Sequence, residues 1–304
     1  MSISLRQVRY FIATADAGQV SQAAIALNIS QSAVTAAIKQ LENDFGVMLF
    51  SRLSSGMALT PEGARFLQHA RNIMAAVNSA ARSPLTEDTT LSGLIRIGVS
   101  YTVAGYFLPR HYTRFAQSYP RIKTELFELP RNAIEEGLNS GELDLAVMLV
   151  SNLHDKKHLT HETLLRSRRR LWLPVEHPLL TREVITLEDV AHEPYVMLTV
   201  DEASQTAGRY WRRARLKPNV VFKTSSVEAV RSLVADGMGI TILSDMVYRP
   251  WSLEGQRIEL RTIAADIPTM DVGLAWARSR TLSPAARVFH DVMSLSFGGA
   301  ATPG

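Results

Sequence analysis

The chain has no cysteine. That excludes disulfides, thiol nucleophiles, thiolate metal sites and cysteine-based redox sensing. No apolar run reaches the length of a membrane span. The opening Met-Ser-Ile-Ser-Leu-Arg-Gln lacks the basic, apolar, small-residue order of a secretory signal. Cytoplasmic residence is therefore the expectation. There is no Gly-x-Ser-x-Gly, no His-Glu-x-x-His and no Walker loop, and no acid–base pair stands out. An enzyme is thereby disfavoured. His154, His158 and His161 come nearest to a metal-ligand spacing and read as a solvated loop, so no metal and no cofactor is expected. Charge of either sign is modest. Charged residues make up 20% and the net charge is +4, which is compatible with a polyanion partner without requiring one.

At 304 residues the chain is long for one core and predicts two or three units. The most informative stretch runs from Gly18 to Glu42. Ser21 reads as a helix N-cap, and Ala23, Ala24 and Leu27 form a packing stripe after it. Asn28 can end that helix in a left-handed conformation. Ser30 opens a second helix, with Val34, Ile38 and Leu41 as its buried stripe. Gln31, Ser32, Thr35 and Lys39 occupy the face between. Two short helices and a tight turn describe a helix-turn-helix, whose second helix enters the DNA major groove. The same pattern also suits any small alanine-rich helical pair. Residues 1–60 hold Arg6, Arg9, Lys39 and Arg52 against Asp16, Glu42 and Asp44, a net of only +1. So weak a charge calls for paired copies and for backbone amides at helix ends.

Around this pair, Leu5, Val8, Phe11, Ile12 and Ala15 predict a first helix. Residues 49–60 read as a β-ribbon, or wing. Thr60-Pro61 starts a long helix carrying Ala64, Leu67, Ala70, Met74, Val77 and Ala81 on one stripe. That stripe suits a dimer-forming linker helix, or docking on the chain's own second unit. Residues 84–92 are polar and read as a hinge. From Gly93 on, strands near 94–99, 123–129, 143–149, 171–174, 195–198, 219–222, 239–243 and 271–276 alternate with helices. The expected result is a mostly parallel α/β sheet in two lobes with a ligand cleft between them. The run Arg166-Ser-Arg168-Arg169-Arg170 reads as a lobe-surface strand serving solvation or subunit packing, with a second DNA contact as the alternative.

In this order the motifs resemble the LysR-type transcriptional regulators. The N-terminal carriers are Ala23-Ala24-x-x-Leu27, Ser30-Gln31-x-Ala33-Val34-Thr35, Ile38-x-x-Leu41-Glu42, Phe45-Gly46-x-x-Leu49-Phe50-x-Arg52 and Leu59-Thr60-Pro61-x-Gly63. Further along come Gly93-x-Ile95-Arg96-Ile97-Gly98, Leu138-x-x-Gly141-x-Leu143-Asp144, His177-Pro178-Leu179 and Val234-Ala235-x-Gly237-x-Gly239-Ile240. The resemblance implies a winged helix-turn-helix over 1–60, a linker helix over 61–83 and a periplasmic-binding-protein-like effector domain over 93–304. Its lobes would be about 93–163 with 267–304, and about 164–266. It implies a promoter-bound dimer, assembled as a tetramer, that meets RNA polymerase and responds to a small-molecule effector. A binding protein without DNA activity is the alternative, and leaves residues 1–60 unexplained.

The DNA-contacting positions implied are Ser21, Gln22, Gln31, Ser32, Thr35, Lys39, Arg52 and Ser54. Ala36 and Ala37 stand where the family often has a larger polar or basic residue, and Ser54-Ser55-Gly56 where a second arginine is common. The effector positions implied are Ser100, Tyr101, Thr102, Arg131, Leu149, Ser151, Thr199, Asp201, Thr224 and Ser225. Free amides at Ser100–Thr102 and the fork of Arg131 suit a carboxylate. Alternatively the hydroxyls cap helices and Arg131 is a solvated surface charge. Asp201 and Glu202 would oppose an anion if they faced the cleft, but suit the amine of an amino acid.

Overall fold

A computed structural model describes residues 3–27, 29–53, 56–82 and 91–297; the side chains of 52, 53, 68, 72, 75, 76 and 78–82 are not part of that description. Asn28, Ser54 and the hinge residues 84–90 lie outside it. The described residues divide into two compact bodies, 3–82 with 291–297 and 91–290. No described helix is long and apolar enough to cross a membrane.

The first body begins with α1 (Leu5–Ala17), α2 (Val20–Leu27) and α3 (Gln31–Phe45). A capping box starts α1: Ser4 Oγ accepts from Gln7 N, and Gln7 Oε1 accepts from Ser4 N at 2.8 Å. Ser30 caps α3 by accepting from Ala33 N. Ser21 is not the N-cap of α2, because the helix already starts at Val20, two residues after the left-handed Gly18 that ends α1. Then β1 (Phe50–Leu53) and β2 (Gly56–Leu59) pair antiparallel as the wing, from Phe50↔Leu59 to Leu53↔Gly56. The long α4 (Pro61–Arg82) follows, capped by Thr60, whose Oγ accepts from Gly63 N at 2.9 Å. The core joins Val8, Phe11, Val34, Ile38, Leu41, Leu49, Phe50 and Ala70. The ring of Phe66 on α4 lies 4.8 Å from those of both Phe11 and Phe45, tilted against the first and edge-on to the second. The inward stripe of α4 therefore includes Phe66, Leu67, Ala70 and Met74, whereas Ala64 is exposed. Part of the expected dimer stripe is thus spent on α1 and α3 of the same body.

The second body has two lobes. The first lobe is built on β3 (Gly93–Val99), α5 (Tyr101–Tyr106), α6 (Leu108–Ser118), β4 (Ile122–Glu128), α7 (Arg131–Ser140), β5 (Leu145–Leu149) and β6 (Leu159–Ser167). The chain then enters the second lobe with β7 (Arg169–Pro174), α8 (Leu187–Ala191), β8 (Pro194–Leu198), α9 (Ala203–Arg213), β9 (Asn219–Thr224), α10 (Val227–Ala235), β10 (Thr241–Ser244) and β11 (Ile258–Arg261). It returns along β12 (Met270–Ala277), and α11 (Pro284–Ser296) ends the described chain.

The sheets are mixed, not mostly parallel. In the first lobe the strand order is β4-β3-β5-β12-β6. Strand β3 pairs parallel with β4 and β5, but β12 is antiparallel to β5 and β6. The reason is topological: β12 comes back from the other lobe and so enters the sheet from the opposite end. Strands β6 and β12 pair along their whole length with a bulge between Val272 and Gly273. A Cβ on Gly273 would stand 2.0 Å from the Glu162 carbonyl oxygen, so only glycine fits this bulge. In the second lobe β7 lies between β10 and β11, antiparallel to both, and β8 pairs parallel with β9. That lobe packs around Trp211, Tyr195 and Tyr210, all buried.

Candidate functional site

In the first body, α3 presents Gln31, Thr35 and Lys39 at i, i+4 and i+8, one stripe beside the buried Val34–Ile38–Leu41 face. Together with Ser21 of α2 they line a concavity of about 410 Å³, closed on the other side by Met48 and by Gly56 and Met57 of the wing. Gln22 and Ser32 are exposed but stand outside this lining, and Ser32 Oγ lies 3.0 Å from Ser30 Oγ. For Arg52 the structure describes the backbone only, in β1. Met48, Met57 and Gln19 also line it and were not expected, since they lie outside the helical stripe of α3 and local periodicity does not bring them to it. Glu42 also faces the concavity, yet its carboxylate is committed: Oε1 accepts from Leu49 N at 2.8 Å and Phe50 N at 3.1 Å. That fixes the start of the wing and disperses a negative charge that would repel a polyanion.

In the second body, several contacts cross between the lobes. The Thr102 amide donates to Asp201 Oδ2 at 2.6 Å. Arg131 Nε donates to Glu202 Oε1 at 3.2 Å, and Arg131 Nη1 lies 3.5 Å from Glu135 Oε1. Asn152 Nδ2 donates to the Asp201 carbonyl at 2.7 Å. Tyr106 Oη donates to Glu228 Oε1 at 2.8 Å. Glu228 also pairs with Arg231, which is buried beneath the Trp172 ring. Burial, then the Glu228 carboxylate, raises the Tyr106 hydroxyl above its ordinary pKa, so it stays a donor at neutral pH. Asp201 and Glu202 both hold left-handed backbone, φ 49° and 58°. Each such residue costs about 1–3 kcal/mol, which the cross-lobe contacts offset.

A family model described as the LysR substrate binding domain matches residues 88–296. A second, the lysR-family bacterial regulatory helix-turn-helix protein, matches residues 5–64. The chain belongs to the LysR family. It is a transcriptional regulator with a helix-turn-helix and an effector-binding domain. It is 30% identical over 256 residues to the HTH-type transcriptional regulator AlsR of Bacillus subtilis, covering 83% of this chain and 84% of that one. The DNA-binding transcriptional dual regulator OxyR of Escherichia coli is 26% identical over 90% of this chain and 89% of its own. The crystal structure of HinK, a LysR family regulator from Pseudomonas aeruginosa, matches with TM-score 0.63 and 29% identity, over 99% of this chain and 100% of that one.

Within this LysR regulator the expected effector residues separate into groups. Ser100, Thr102, Arg131 and Asp201 meet at the lobe boundary. Ser100 Oγ is buried and has no partner among the described residues. Arg131 is not a solvated surface charge, because its side chain is 18% exposed and faces two carboxylates. Of the others, Ser151, Thr199 and Thr224 are committed to other hydrogen bonds. Ser151 Oγ accepts from Asp271 N, Thr224 Oγ1 accepts from Ser226 N at 3.1 Å, and Thr199 N donates to the Thr224 carbonyl at 2.9 Å. Leu149 is core, while Tyr101 and Ser225 are exposed. Sequence reasoning missed Asn152, Tyr106 and Glu228, whose partners lie 49 to 122 residues away.

The basic run is in part a solvated face, since Arg166 and Arg168 are exposed, but Arg169 and Arg170 are not. Arg169 Nη1 donates to the Pro268 and Thr269 carbonyls, Arg170 pairs with Asp245 at 2.6 Å, and Arg166 lies 3.8 Å from Asp271. Arg169 ties β7 to the segment that returns to the first lobe, and Arg170 ties β7 to the residue after β10. His161 sits on β6 rather than in a loop, and His158 pairs with Asp155 at 2.9 Å.

Proposed function

We propose that this LysR regulator reads promoter DNA with the concave face of α2, α3 and the wing, and that a small carboxylate or amino acid bound between the lobes adjusts that contact. The observation that carries the DNA reading is the convergence of Ser21, Gln31, Thr35 and Lys39 on one groove beside the wing. Gln31 and Thr35 serve base edges, Lys39 a phosphate, and Arg52, on the wing, the minor groove. Gln22, Ser32 and Ser54 contribute at the margin. Ala36 is exposed and offers only a methyl group, so each copy binds weakly. Affinity then rests on copies paired through α4, as a dimer or tetramer that contacts RNA polymerase in the cytoplasm.

The effector reading is supported by chemistry at the lobe boundary. The Thr102 amide and the Arg131 guanidinium are donors that pair with carboxylates, since they do so with Asp201 and Glu202. Fluorescence anisotropy on the intergenic DNA upstream of the gene tests the DNA part. Thr35→Ala and Arg52→Ala are expected to weaken binding, each by about 1–3 kcal/mol. Unchanged affinity in both refutes the groove. Repeating the titration with carboxylic and amino acids tests the effector part, and a response only to compounds without a carboxylate refutes it.

A further inference from the structure

The segment Val200–Glu202 places two carboxylates of the second lobe on two donors of the first. Asp201 takes the Thr102 amide and Glu202 takes the Arg131 guanidinium, while Asn152 holds the Asp201 carbonyl. The flanking Thr199 and Ala203 have ordinary negative φ, so the left-handed backbone is confined to Asp201 and Glu202, the two residues that make this contact at the entry to α9. L-residues keep such a backbone only where surrounding contacts over-determine it. Beside Thr102, the buried Ser100 hydroxyl has no partner among the described residues. The donors that suit a carboxylate effector are thus occupied from within, and a polar group next to them is not.

We propose that Asp201 and Glu202 form an internal ligand, a latch that closes the cleft in the absence of effector and that a carboxylate-bearing effector must displace. The inference rests on the carboxylate reading of the cleft. Displacement frees the Val200–Glu202 segment to relax from its left-handed backbone and offers the Ser100 hydroxyl to the incoming group. The Tyr106–Glu228 bond starts from the same helix α5 as Thr102 but ends on α10 rather than on Val200–Glu202, so it stays in place when the latch releases. The effector's measured affinity is then its intrinsic affinity reduced by the fraction of molecules with the latch open.

The full-length protein is compared with its Asp201→Ala/Glu202→Ala and Asp201→Asn/Glu202→Gln variants. Thermal unfolding of each pair checks that both remain folded. Hydrogen exchange of the peptide spanning 100–106 reads the latch directly, with propionate, succinate and L-glutamate as binding probes in calorimetry. The expected result is exchange faster by about tenfold in the alanine variant, and binding of the best probe tighter by about tenfold in both variants. Arg131→Gln is expected to abolish that binding. Unchanged exchange overturns the latch. Probe binding that is equal or weaker once the carboxylates are gone overturns the competition. If no probe binds any of the proteins, the carboxylate reading itself fails, and the exchange result alone decides whether the lobes are latched.

Discussion

The Arg169 guanidinium donates to the Thr269 carbonyl at 2.7 Å, joining the chain's departure from the first lobe to its return. The same nitrogen bonds the Pro268 carbonyl. Ser167, two residues earlier, accepts from Ser244 Oγ at 2.7 Å and from Met246 N at 3.0 Å. The two crossing segments are therefore stitched to each other and to β10, and the place where the lobes would pivot is a bonded knot rather than a free loop. Burial lowers the guanidinium's pKa somewhat, but it remains charged and its bonds are charge-assisted.

Replacing Arg169 by Met keeps its apolar stem and removes the charge-assisted bonds. The expected loss is about 2–3 kcal/mol, from two carbonyls left without their donor. In a body of this size that lowers the melting temperature by about 4–12 °C. Arg166→Met, whose pair is long and exposed, is expected to change it by less than about 1 kcal/mol. Equal effects in the two variants count against the knot.

Gly63 sits in the first turn of α4 against the wing's base, where a Cβ would stand 2.0 Å from the Leu49 carbonyl oxygen. That oxygen also accepts from Thr60 N at 3.0 Å and cannot move away without breaking the bond. Helix propensity alone favours alanine over glycine by about 1 kcal/mol. The clash opposes it, and Gly63→Ala is expected to destabilise the protein by about 2 kcal/mol net. Chemical denaturation against Ala64→Gly, an exposed position one residue on, separates the two effects. A stabilised Gly63→Ala protein would mean that the close approach is absent.

Local physics made much of this legible. The Val34–Ile38–Leu41 stripe and the Ser30 and Thr60 caps follow from spacing and capping, and the structure has them. Strand β6 was not legible, since Leu-Thr-His-Glu-Thr-Leu-Leu-Arg-Ser mixes polar and apolar residues without clean alternation. Its burial is set by β12, a hundred residues later. Helix α9 hid for a similar reason: its buried face is Thr206, Ala207, Tyr210 and Trp211, half of it small or polar. The latch was the least legible. Asp201 and Glu202 read as obstacles to an anion, because nothing local shows that a left-handed turn carries them onto Thr102 and Arg131.

Lys39 is the basic side chain described in the α2–α3–wing groove. Its contribution to DNA binding should be electrostatic and insensitive to sequence. Each phosphate neutralised adds about 0.9 to the slope of log affinity against log salt, so in a dimer Lys39→Ala should flatten that slope by about 2. Affinity for cognate and random DNA should fall in parallel. Anisotropy at several salt concentrations measures both. A slope that does not change, or a loss confined to the cognate site, assigns Lys39 to base reading instead.

His111 of α6 supplies the pH dependence. Its ring lies 5.0 Å from the Phe107 ring, and burial, followed by Arg110 and Arg114, lowers its pKa to about 4. The unfolded chain titrates near the ordinary value of about 6.5. Between these values the unfolded state binds a proton that the folded state refuses, so stability rises with pH across this window. Stability from His111 is full above about pH 6.5 and is lost progressively as the pH falls toward about 4. Because the ring is only partly buried, the loss between pH 7 and pH 5 should be about 1–2 kcal/mol. His161 and His177, also lowered by burial, act in the same direction, so the wild-type slope alone does not isolate one residue. The difference between wild type and His111→Gln does. Melting temperatures at pH 7 and pH 5 should converge in the variant by the amount His111 contributes. An identical pH slope in both proteins would mean that His111 titrates as an exposed histidine does.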